Sequence, residues 1–174
     1  MVGRHLSQNW ALGPGQFQHQ TLRLHMTWFQ DLTRCSYFGE ECGFSLRAVG
    51  WLERDKAFPI GLVNSPVYSR LCELPRNPWQ PMVSMGSHVC SLCWYEGAAS
   101  SSNLFIPGNG IVFVCPELIV HYMDAHGYAP PQEFCQAVLA CPPMHSMQYF
   151  KEILANGGRS LVRSMFGSHG QGTG

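Results

Sequence analysis

Charge is scarce in this chain. Asp, Glu, Lys and Arg make up 13% of its 174 residues, about half the share usual in soluble domains, and 11 basic residues balance 11 acidic ones. A broad phosphate-binding surface needs an excess of Lys and Arg to release counterions, so nucleic-acid binding is disfavoured, short of a small local patch. A near-neutral, charge-poor surface instead favours association with itself or with a partner. Long apolar runs are also missing. The longest, Ile111 to Val114 continued by Leu118 to Val120, is broken by Pro116-Glu117 and falls short of the ~20 residues that span a membrane. Residues 1–25, rich in Gln, Gly and His, lack the apolar core of a secretory signal. These absences predict a soluble, cytoplasmic protein. No Gly-rich phosphate loop, serine nucleophile elbow or paired acidic catalytic motif is present.

What the chain does have is cysteine and histidine, eight of each. In a reducing compartment such cysteines are thiols and metal ligands rather than disulfides. Two segments concentrate them. His88-Val89-Cys90-Ser91-Leu92-Cys93 holds a Cys-x-x-Cys pair with a histidine two residues upstream, and His121-Tyr122-Met123-Asp124-Ala125-His126 holds two histidines with four residues between them. Two sulfurs and two imidazoles are the donor set of a closed tetrahedral zinc site. A tight turn aims both cysteines inward. The histidines are harder to reconcile: on a regular helix they stand about 140° apart, so a shared Zn2+ requires the last turn to loosen near Gly127. The plain alternative is two structural thiols and two core histidines.

The order of elements supports the metal. The pattern predicts a strand over Leu46 to Leu52 and a helix over Pro66 to Leu74, with Ser65 as its N-cap. Pro75, Pro78 and Pro81 then enforce a loop around Trp79. Next comes a turn over Gly86 to Trp94 bearing the cysteines. A hairpin follows, with strands 104–106 and 111–114 around Pro107-Gly108-Asn109-Gly110. Pro116-Glu117 opens a helix that ends at Gly127. Two more helices follow, one after Pro130-Pro131 and a last one over Met144 to Ala155. The expected fold is α+β: an elaborated ββα zinc-finger-like core, with an added N-terminal strand and C-terminal helices. Residues 1–25 are read as a mobile or extraneous extension, 26–158 as a single zinc-binding domain, and 159–174 as a Gly-rich tail.

The departure from a DNA-reading finger is plain. Cys93 and His121 are separated by 27 residues, about twice the familiar gap. The helix offers Glu117 and Asp124 to a phosphate backbone and contains no Arg or Lys. Cys90, Cys93, His121 and His126 are therefore the expected ligands of a structural Zn2+, with His88 as an alternate ligand or a supporting residue behind them.

The function this favours is a zinc-stabilised, non-enzymatic interaction module for a protein partner or for self-assembly. The alternative is a zinc-dependent hydrolase. A catalytic zinc keeps one open position, and His88, Cys90, Cys93 and one histidine would leave it, with Glu117 as base. Nucleic-acid binding comes third. Cys35 and Cys42 are loosely spaced, and Cys72, Cys115, Cys135 and Cys141 read as buried thiols. A second site from Cys135, Cys141 and His145 is the weakest alternative. Trp51, Phe58, Trp79, Trp94 and Tyr95 read as core before they read as a groove.

Five stretches together resemble a family of small uncharacterised bacterial proteins: Met26-Thr27-Trp28-Phe29-Gln30-Asp31-Leu32-Thr33, Val49-Gly50-Trp51-Leu52-Glu53-Arg54, Asn103-Leu104-Phe105-Ile106-Pro107-Gly108, Pro116-Glu117-Leu118-Ile119-Val120-His121-Tyr122 and Cys141-Pro142-Pro143-Met144. The resemblance runs from Met26 to Gly158. It implies the extent of a domain, and no activity.

Overall fold

The hairpin of the core sheet turns at Asn109-Gly110. In the computed structural model, which describes residues 27–39, 45–82, 86–94 and 97–167 (side chains to 163), the elements are β1 (Leu46–Ala48), α1 (Ser65–Glu73), β2 (His88–Val89), β3 (Ala99–Ser100), β4 (Asn103–Gly108), β5 (Ile111–Pro116), α2 (Ile119–His126), α3 (Gln132–Ala140), α4 (Met147–Ala155) and α5 (Arg159–Gly167). This is the α+β class expected, with five helices and two small sheets among the described residues. Asn109 and Gly110 have φ of 58° and 76°, the left-handed pair that a two-residue hairpin turn demands and that Asn-Gly adopts at least cost. The turn is thus two residues, not the four expected. Pro107 and Gly108 lie inside β4, where Gly108 pairs with Ile111. Pro107 is tolerated because β4 is an edge strand in the order β1-β5-β4. Gly108 lets α3 approach: a Cβ there would stand 2.8 Å from the Cβ of Ala137.

β5 is the middle strand, antiparallel to β4 and parallel to β1, with Leu46 opposite Val112 and Ala48 opposite Val114. Val112, Phe113, Val114 and Cys115 are all fully buried. That explains why the run is continuously apolar rather than alternating: both faces of the strand are covered. Phe134 of α3 packs edge-on to Phe113, and Tyr149 of α4 donates its hydroxyl to the carbonyl of Phe105 at 2.7 Å. Trp79 is fully packed among Phe105, Tyr149 and Phe150.

Several boundaries differ from expectation, each for a local reason. β1 stops at Ala48, and Gly50, at φ 70°, turns the chain so that Trp51 returns its indole N–H to the carbonyl of Val114 at 2.9 Å. Asn64, rather than Ser65, holds the N-cap position of α1. α2 begins at Ile119, because Pro116 remains extended opposite Asn103 and the N–H of Glu117 is held by the carbonyl of Ser102. α4 begins at Met147 because Ser146 caps it, accepting from the N–H of Tyr149, while the sulfur of Met144 accepts from the backbone N–H of Trp79. Ordered structure also passes the expected boundary at 158. α5 covers Arg159–Gly167, and Leu161 is fully buried. The expected N-terminal extension, 1–25, lies outside the described residues.

The ββα expectation meets a different placement of its parts. The β4–β5 hairpin is built into the core sheet, whereas the cysteine turn belongs to a separate antiparallel ladder of β2 and β3. The helix of the pair, α2, follows β5 directly and carries both histidines.

Candidate metal centre

The cysteine half of the site is a knuckle closed by two-residue strands. His88 pairs with Ser100 and Val89 with Ala99, and the N–H of Cys90 donates to the carbonyl of Ala98 at 2.8 Å. Inside this loop the backbone N–H groups of Leu92 and Cys93 point to the sulfur of Cys90, the hydrogen bonds that favour a thiolate. Burial acts in the opposite sense and is the larger effect, so the Cys90 thiol is held above its ordinary value. Gly97 is the residue that lets the loop close. A Cβ there would lie 2.7 Å from the carbonyl oxygen of Cys90, 3.3 Å from its Cβ and 3.4 Å from the Cβ of Cys93.

The histidine half comes from α2. The helix runs to His126 and is stopped by Gly127, whose φ of 65° and ψ of 22° form a left-handed cap. The anticipated loosening before His126 is absent. The imidazole arms themselves close the angle, and the two rings meet edge-to-face with centroids 5.1 Å apart. Between them in sequence, Tyr122 is fully buried against both rings. Burial, reinforced by the Cys90 and Cys93 sulfurs, pushes its phenol up, and its hydroxyl has no hydrogen-bond partner among the described residues.

The two halves converge. The Cys90 sulfur lies 3.3 Å from His126 Nε2, and the Cys93 sulfur lies 3.4 Å from His121 Nε2 and 3.5 Å from His126 Nε2. All four donor atoms fall within 4.8 Å of one another, the one such group among the described residues. A tetrahedral zinc with bonds of about 2.3 Å to sulfur and about 2.0 Å to nitrogen separates its N and S donors by about 3.5 Å, so the observed separations are edges of that tetrahedron. Burial and the neighbouring His121 push His126 below the usual imidazole range. A neutral ring is the form that binds a metal.

The remaining candidates lie elsewhere. His88 is outside the group of four; its ring packs against Trp51 at 4.8 Å and Tyr37 at 5.5 Å, buried, and burial lowers its pKa. Glu117 sits in the turn before α2, where it accepts from the hydroxyl of Ser100 at 2.5 Å, and it is not among the converging donors. Cys135 and Cys141 donate to the carbonyls of Pro130 and Pro142, and no cluster with His145 forms. Cys35, Cys115 and Cys141 are buried thiols, whereas Cys72 and Cys135 are half-buried; Cys42 lies outside the described residues. Trp51 and Trp79 are core, Phe58 is half-buried, and Trp94, 84% exposed, is surface. Tyr95 lies outside the described residues.

Two supports were not legible beforehand. Arg54, 39 residues before Cys93, donates its guanidinium to the Cys93 carbonyl at 2.8 Å. It also lies 4.7 Å over the ring of Trp94, while its backbone N–H binds the Ser91 hydroxyl. Gly97 carried a weak signal, a glycine four residues past the second cysteine, but its need for closeness emerges only when β2 and β3 pair. Replacing Gly97 by Ala drives a Cβ into backbone, an overpacking worth about 1–3 kcal/mol. The expected result is a metal affinity lowered roughly 5- to 150-fold, read by competition with a chromophoric chelator. Unchanged affinity would mean that the knuckle shifts at no cost.

A family model described as a domain of unknown function (DUF7919) matches residues 27–139, a span that contains all four converging residues. No curated protein and no solved structure matches the chain. No helix among the described residues is long and apolar enough to cross a membrane.

Proposed function

The chain belongs to the DUF7919 family, a domain of unknown function; for this member we propose a zinc-stabilised, non-enzymatic interaction module that binds another protein or assembles with itself. The observation that carries the reading is the closed donor set: two sulfurs and two imidazole nitrogens within 4.8 Å. Thiolate and imidazole donors at tetrahedral spacing suit Zn2+ above harder divalent ions, and four protein ligands leave no coordination position for a substrate or an activated water. Residues 26–158 form the proposed zinc-binding domain, with α5 added to it. None of the seven described cysteines is in a disulfide, in keeping with the proposed reducing, cytoplasmic setting.

The interaction part of the reading draws on the surface beside the metal. Trp94 follows Cys93 and is 84% exposed, yet Arg54 stacks on it and pins the same loop. A rigid, exposed aromatic held by an arginine is the kind of anchor that dominates protein interfaces. The hydrolase alternative depends on His88 as a ligand and Glu117 as a base. His88 packs against Trp51 and Tyr37 instead, and Glu117 binds Ser100.

Purified chain is expected to contain one zinc per molecule, and X-ray absorption at the zinc edge is expected to show two sulfur and two nitrogen neighbours. Three protein ligands plus a water oxygen would favour the hydrolase. Folded protein that binds no zinc would overturn the metal reading.

A further inference from the structure

The loop Phe58–Val63 runs along residues 127–129. The N–H of Gly61 donates to the carbonyl of Gly127, the N–H of Ala129 donates to the carbonyl of Pro59, and Ile60 stands opposite Tyr128 in antiparallel register. In such a ladder the N–H and C=O of one residue point to the same side and alternate along the strand. Pro59 and Gly61 therefore face residues 127–129, and Ile60 and Leu62 turn their backbone groups to the other edge. That edge is open: neither residue has a hydrogen-bond partner there among the described residues. Their side chains are also exposed, Ile60 at 77% and Leu62 at 103%. Natural sheets blunt open edges with charge or with proline on the free side. Here residues 57–69 contain no charged residue, and Pro59 spends its missing N–H on the occupied side.

We propose that this edge pairs with the same edge of a second copy of the chain, about a two-fold axis passing through Gly61. Resting on the interaction-module reading, the proposal names its partner. A two-fold there sets Ile60 opposite Leu62 of the other copy. Each such pair exchanges two N–H···O=C bonds, so the two pairs form four bonds from groups that otherwise have only water. Ile60 and Leu62 of opposite copies share a face and cover each other. Gly61 meets Gly61, where no side chain intervenes. No second sequence is needed, and no like charges meet. The resulting ladder runs from residues 127–129 of one copy through both loops to 127–129 of the other. Because Gly127 immediately follows His126, the edge is anchored to the metal-bearing helix.

The test uses full-length chain, zinc-loaded, in sedimentation equilibrium from about 1 to 200 μM. A reversible dimer is expected, weakened at least tenfold by Leu62→Lys and restored by the double variant Ile60→Glu/Leu62→Lys, which sets opposite charges across each pair. Amide exchange at Ile60 and Leu62 is expected to slow only at concentrations where the dimer forms. A zinc-loaded monomer throughout the range overturns the inference and leaves the metal reading standing. A dimer indifferent to Leu62→Lys also overturns it, as does protection of both amides in the monomer, which would assign the edge to a segment of the same chain. Absence of zinc at equal stability would instead sink the metal reading, and a Leu62-dependent dimer under those conditions would still support the pairing.

Discussion

Stripping zinc with a chelator, or replacing Cys93 by Ser, is expected to lower the melting temperature of the protein by about 8–16 °C. A ligand present at a thousandfold its dissociation constant stabilises the fold by about 4 kcal/mol, and each kcal/mol shifts a domain of this size by about 2–4 °C. The loss is large because little else holds this part of the molecule. β2 and β3 are two residues each, too short to stand as an isolated hairpin. The loop between them is tied by the backbone bond from Cys90 to Ala98 and by the contacts of Arg54. Removing the ion also leaves two buried or half-buried sulfurs facing two imidazoles. The damage is expected to be local. Amides of residues 88–100 and of α2 should exchange faster, while those of β4 and β5, paired along six residues each, keep their protection. Cys135→Ser, whose thiol bonds the Pro130 carbonyl away from the donors, serves as a control with unchanged zinc content. An apo protein that melts with the holo protein would show that the four residues are packing and not a metal site.

Replacing Trp51 by Ala is expected to cost about 3–5 kcal/mol in urea unfolding, the usual range for a buried large aromatic. Trp51 is 2% exposed and touches Phe29, Tyr37 and His88. Trp51→Phe is expected to cost less, about 1–3 kcal/mol, the lost hydrogen bond plus the small cavity left by the smaller ring, and the Val114 carbonyl still accepts from the N–H of Val49. Trp79→Ala should be as destabilising, since Trp79 is 1% exposed among Phe105, Tyr149 and Phe150. The two variants are expected to part company at the metal. Trp51 supports His88, two residues before Cys90, so its loss should weaken zinc binding, whereas loss of Trp79 should not. Equal zinc affinities in the two variants would break the link between the aromatic cluster around His88 and the knuckle.

Much of the site was legible in one dimension. Cys90 and Cys93 have two residues between them, and a turn of that length can aim both sulfurs one way whatever surrounds it. His121 and His126 were legible as donors on one helix, ending where Gly127 permits a left-handed cap. Asn109-Gly110 announced a hairpin because few other dipeptides accept two left-handed residues in succession. The helices after Pro130-Pro131 and around Phe150 were likewise visible in their apolar spacing. Each of these signals is local: backbone geometry over two to ten residues sets the relation, and the rest of the chain only has to permit it.

Other features depended on which segments the fold brings together. His88 and Cys90 both look like ligands from their spacing. Only the pocket formed by Trp51 and Tyr37 removes His88 from the metal group. Glu117 resembles a helix-opening acid until Pro116 pairs with Asn103 and Ser100 takes the carboxylate. Arg54 and the open edge at Ile60 and Leu62 carry no sequence pattern, and Gly97 only a weak one, since their roles arise from contacts with residues 4 to 70 positions away. The sequence by itself determined the donor set and the α+β elements that carry it. Tertiary packing decided which donors meet, because closing a 27-residue gap between Cys93 and His121 depends on a core sheet whose strands pair across the chain, and no local pattern encodes that return.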